Sequence, residues 1–193
     1  MKKFFLVCAL VAILGTGTAF AEHPDGFAIG LYGSFGGWRY NHAGGGGGLS
    51  LVIPKVPIYW GLNFAGLGVG YFGFGITGDY YLIDADFIPL LGWHLGIGGY
   101  FNYQGWKYSG WDKNLKKKDY RYSNFGFGVR VPIALHFHPI KLIDIWLGVA
   151  PSLGLGIYGK YKSYNASGKE ESYGGGLYVD WDIPIEIGIR FWF

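Results

Sequence analysis

Residues 183–193 read IPIEIGIRFWF, and every odd position, Ile183, Ile185, Ile187, Ile189, Phe191 and Phe193, carries a large apolar side chain. Strict alternation with period two marks a strand with one face removed from water. Six such residues on a last strand need a large apolar partner, and the rest of the chain shows what that partner is.

Alternation of the same kind recurs in seven earlier segments. They cover about 27–35, 44–53, 58–65, 70–83, 90–103, 123–137 and 143–158, with an eighth at 174–193. Segment six, for example, sets Phe125, Phe127, Val129, Val131, Ile133, Leu135 and Phe137 against Gly126, Gly128, Arg130 and Ala134. Most are long enough to cross a bilayer as tilted strands, which takes roughly 9–11 residues. No stretch after the N-terminal region reaches the roughly 18 apolar residues of a spanning helix. The composition agrees: 36 Gly, 16 Tyr, 15 Phe and 8 Trp favour strands over helices.

Connections after segments two, four and six are short (54–57, 84–89 and 138–142), whereas 104–122 and 159–173 are long and polar. Short turns at one end and long loops at the other are the layout of an outer-membrane barrel with both termini at the periplasmic, short-turn end. A soluble barrel would turn the same apolar face inward. The interior of eight strands barely accommodates side chains, so this many Phe, Trp and Ile must face outward, toward lipid. The expectation is an all-β, eight-stranded antiparallel up-and-down transmembrane β-barrel. Pro132, Pro151 and Pro184 interrupt three strands, where bulges are expected.

Residues 1–21 read as a cleaved signal peptide, with Lys2 and Lys3, an apolar run from Phe4 to Leu14, and Ala19-Phe20-Ala21. The barrel domain is then 22–193. Cys8, the only cysteine, falls in the leader, so cysteine chemistry is excluded from the barrel. Without Lys2 and Lys3 the 16 basic residues become 14 against 13 acidic, which gives no reason to expect nucleic acid.

The C-terminal run Glu186, Ile187, Gly188, Ile189, Arg190, Phe191, Trp192, Phe193 resembles the assembly signal of outer-membrane barrels, with Glu186, Gly188, Phe191 and Phe193 at its marked positions. That resemblance implies handling by the barrel-assembly machinery. The layout as a whole is similar to the OmpA-like barrels. The stretches RVPIALHFHP (130–139) and VAPSLGLG (149–156) resemble a domain-of-unknown-function family of small bacterial surface barrels. The resemblance implies a fold and a location in the bacterial outer membrane, without a chemistry.

By alternation the inward ionisable residues are Asp79, His94, Arg130, His136, Asp144, Asp180, Asp182, Glu186 and Arg190. A buried guanidinium needs carboxylate partners. Asp79, Arg130, Glu186, Arg190, Asp180 and Asp182 are therefore expected to form a charge network plugging the lumen. The alternative is a polar track serving a small pore or a conduit for ions, small solutes or apolar molecules. His94, His136 and His138 show no HxxxH or HExxH spacing, so no metal or other cofactor is expected. His42, Ser109, Asp112 and Ser167 form no recognisable catalytic arrangement, and no enzyme is expected. The run Gly44–Gly48 lacks the Lys-Ser/Thr of a phosphate loop and suits a flexible strand entry or close strand approach.

Segment 104–122 is basic and aromatic, with Trp106, Lys107, Trp111, Lys113, Lys116, Lys117, Lys118 and Arg121 against Asp112 and Asp119. Such a surface suits anionic lipid headgroups, glycans or host surface molecules, or is simply solvated. Outer-membrane lipid is the remaining partner, and the barrel is expected to be a monomer.

Overall fold

The computed structural model describes residues 26–36, 44–65, 71–111, 117–159, 161–164 and 170–193. The expected signal peptide lies outside them, as do His42, Asp112, Lys113, Lys116 and Ser167. Among the described residues thirteen strand segments follow in order: β1 (Ala28–Gly36), β2 (Gly44–Ile53), β3 (Val56–Ala65), β4 (Tyr71–Ile88), β5 (Leu91–Trp111), β6 (Lys117–Arg130) and β7 (Ile133–Ile140). After these come β8 (Ile143–Val149), β9 (Ser152–Tyr158), β10 (Tyr161–Tyr164), β11 (Glu170–Tyr173), β12 (Gly176–Asp182) and β13 (Ile185–Trp192).

They make eight staves. The first five strands are one stave each; β6–β7, β8–β10 and β11–β13 are the other three. Each stave pairs antiparallel with its neighbours, and β13 pairs with β1 to close the barrel. Two-residue turns at Pro54-Lys55, Pro89-Leu90 and Lys141-Leu142 close one end.

The expected bulges at the three prolines are absent. Gly98 faces Arg130 and Leu95 faces Ile133, so the sixth stave crosses Pro132 without a change of register against β5. The same holds for Pro151, between Arg130↔Ser152 and Ile133↔Val149, and for Pro184, between Asp182↔Ser152 and Ile185↔Val149. The reason lies in the surviving bonds. Gly96, Val131 and Ala150 donate their N–H groups to the carbonyls of Pro132, Pro151 and Pro184 at 2.9, 2.9 and 3.0 Å. Each proline costs one bond of a two-bond pair, and the other bond keeps the register.

Two connections are also corrected. A bulge at Tyr81/Ile83 shifts the phase of β4 and carries the strand on to Ile88, so Asp84 and Asp86 belong to the wall and not to a turn. Segment 104–122 is mostly paired, from Gln104↔Asn124 to Trp111↔Lys117. β10 adds to β6 and β11 to β10. The long connections thus rise from the barrel as an extended ribbon, as their alternating aromatics favour.

Burial is inverted relative to a water-soluble protein. Leu31, Val129 and Leu177 are 63%, 57% and 71% exposed, while Arg130 and Asp144 are 5% and 1% exposed. Exposed large apolar residues occur on every stave, which is the surface a bilayer solvates. The structure is a transmembrane β-barrel.

Candidate functional site

The lumen is built from the residues that alternation turns inward. Large inward side chains fit because glycines face them. The Trp146 ring lies where Gly188 would carry a Cβ, and the Tyr178 ring does the same at Gly156. Tyr32 lies across Gly48 and Gly61, so the glycine run is a strand of close approach, with Gly44–Gly48 paired to β1. The glycine of the C-terminal motif therefore has a local packing reason of its own.

Midway along the barrel, Arg130 on β6 reaches Asp79 on β4 at 3.1 Å and Glu186 on β13 at 2.7 Å. Three staves are tied through one guanidinium, a fork suited to two carboxylates. One level toward the turn end, Arg190 on β13 pairs with Asp144 on β8 at 3.0 Å. It also donates to Ser50 Oγ at 2.8 Å and to the Tyr81 hydroxyl at 3.2 Å. Its guanidinium carbon sits 4.1 Å from the Trp146 ring centre and 4.8 Å from that of Tyr59, two cation–π contacts.

The cavity shared by these two levels is about 30 Å³, lined by Tyr32, Asp79, Arg130, Trp146, Glu186 and Arg190 among others. That is the space of about one or two water molecules.

A third level lies closest to the turns. Tyr59 stacks on Tyr81 with centroids 3.8 Å apart, and Tyr81 stacks on His94 at 3.9 Å. His136 follows edge-on to His94, and His138 lies beside His136. Among them stand Asp84, 3.1 Å from His136 Nε2, and Asp144, 3.7 Å from His136 Nδ1 and 3.8 Å from His138 Nδ1.

Of the residues anticipated as one network, Asp79, Arg130 and Glu186 meet directly, and Arg190 anchors a separate group through Asp144. Asp180 accepts from the Tyr100 hydroxyl at 2.8 Å, and Asp182 accepts from the Ile183 N–H at 2.8 Å, both toward the loop end. Asp84 and Asp86 were missed. The run Tyr80-Tyr81-Leu82-Ile83, four large residues without alternation, is the sequence signal of the bulge that turns them inward. In the basic and aromatic segment Trp106 is half-buried against Tyr122, with ring centroids 5.4 Å apart, and Lys107 is exposed. For Ser109, Trp111, Lys117, Lys118 and Arg121 only the strand pairing is described.

A family model described as protein of unknown function (DUF3996) matches residues 45–181. The chain belongs to that family. The match takes in Asp79, Arg130, Asp144 and the whole histidine level, while Glu186 and Arg190 fall beyond it. No curated protein sequence matches the chain. Among solved structures it is similar to a major outer membrane protein from Thermus thermophilus, at 14% identity and a TM-score of 0.58, over 87% of this chain and 98% of that one. Neisserial surface protein A matches at 13% identity and a TM-score of 0.47, over 86% of this chain and 97% of that one. At such identity the Thermus likeness concerns the fold.

Proposed function

We propose that the protein is a bacterial outer-membrane barrel with a structural or surface-interaction role, closed by its own interior and presenting its ribbon outside. In this reading the turn end faces the periplasm and the β5–β6–β10–β11 ribbon faces the medium. The C-terminal motif is read by the assembly machinery, and the barrel works as a monomer in lipid. The observation that carries the reading is the filled lumen: Arg130 and Arg190, each tied to carboxylates on other staves, leave about 30 Å³ between them. Breaking a buried pair strands a charge at about 3–5 kcal/mol, so thermal opening of this plug is rare. Function then falls to the ribbon, whose Lys107, Lys117, Lys118 and Arg121 suit anionic headgroups or acidic glycans. No catalytic role is part of this reading.

Single-channel recording of the folded barrel in a planar bilayer tests it. A silent membrane in which folded protein is shown to be inserted is the expected result. Discrete steps whose selectivity changes in Glu186→Gln would replace the plug with a pore.

A further inference from the structure

The histidine level has a chemistry that the plug does not use. His136 and His138 stand two residues apart on β7, which in a strand places both on the lumen face. Asp86 on β4, Gly92 on β5 and His136 lie in one row across three staves, through the pairings Asp86↔Gly92 and Gly92↔His136. Because residue 92 is glycine, nothing separates the two outer side chains. A Cβ there would strike Asp86 Oδ1 and come within 2.9 Å of His136 Nε2. One donor atom each from Asp86, His136 and His138 lies within 4.8 Å of the others.

Two further observations point the same way. His138 Nε2 stands 3.1 Å from His136 Nδ1. This hydrogen bond fixes the two rings side by side and leaves His136 Nε2 directed at Asp84 and Asp86. Around them stand Asp84, Asp86 and Asp144, and of these Asp144 pairs with the Arg190 guanidinium. A divalent cation among these donors would be held by charge as well as by coordination.

We infer that Asp86, His136 and His138 bind one divalent transition-metal ion of the zinc class just inside the turn end of the barrel. Two imidazoles and one carboxylate select borderline ions over magnesium or calcium, which prefer all-oxygen shells. Asp84, beside His136 Nε2, is placed to join as a fourth ligand or to accept from a bound water. Asp144, on the far side of the same ring, orients it. The site lies close to the turns, since the backbone N–H of His138 donates to the carbonyl of Leu90 in the β4–β5 turn at 2.9 Å. The usual metal spacings are missing because the ligands come from two staves.

The test uses the untagged chain, folded in detergent and stripped with a chelator, with cobalt(II) as the probe. A visible absorption band that saturates at one equivalent, is displaced by zinc and is unaffected by excess magnesium is the expected result. His138→Ala and Asp86→Asn lie on different staves, and each should weaken binding by about tenfold or more, with folding checked by heat-modifiable migration. If one variant fails to fold, the other still decides. The absence of a saturable band, or wild-type affinity in a folded variant, would overturn the site.

Discussion

Arg130 holds apart two carboxylates that share its guanidinium, so its removal does more than delete two ion pairs. Arg130→Met leaves Asp79 and Glu186 desolvated beside each other. The expected loss is about 3–5 kcal/mol, read as a lower urea midpoint for the lipid-inserted barrel. Adding Glu186→Gln should return part of it, because the two positions are coupled. An Arg130→Met barrel that unfolds at the wild-type midpoint would mean the triad contributes nothing. This triad was legible in the sequence because parity along a strand turns Asp79, Arg130 and Glu186 inward, and a charge in a narrow lumen needs an opposite one. The setting of Arg190 was not. Its ring partners Tyr59 and Trp146 lie on the third and seventh staves, and only the stagger of the closed barrel brings them to one level.

At the level of elements, the eight staves were readable because lipid imposes period two so strongly on the outward face. Where the lattice gives way was not. Proline signals a lost donor, but whether the strand slips or holds depends on the partner's bond, and here it holds. The three losses are adjacent: Pro132 faces Gly96, its neighbour Val131 faces Pro151, and Ala150, next to that, faces Pro184. The bulge at Tyr81/Ile83 continues the line opposite Leu95 and Gly96. Four consecutive stave interfaces are thus weakened along one oblique seam. Amides of Gly96, Val131 and Ala150 should exchange with deuterium about fivefold faster than those of well-paired wall residues such as Leu147, on a net value of about 1 kcal/mol per bond. Equal protection throughout would remove the seam as an energetic feature.

At the scale of the whole molecule, the barrel and the ribbon are separable by the same logic that orders the lumen. The wall is held by closure and by its charged interior, whereas the ribbon beyond Trp106↔Tyr122 is paired sheet without a closed circumference. Replacing residues 107–121 with an Asn-Gly turn should leave heat-modifiable migration intact and abolish adsorption to vesicles containing anionic lipid. Loss of the migration shift would place the ribbon within the folding unit. Full adsorption would move the contact surface elsewhere.

The seam also bears on the mechanics of the shell. It starts at the bulge of the fourth stave, near the turn end, and ends where Pro184 meets Gly36, the last residue of β1, near the loop end. A tube scored obliquely across part of its circumference yields along the score before it yields elsewhere. Thinning or stretching of the surrounding membrane should therefore flex this barrel first along that diagonal, where the pair of Arg130 and Glu186, on opposite sides of the line, ties the two edges together.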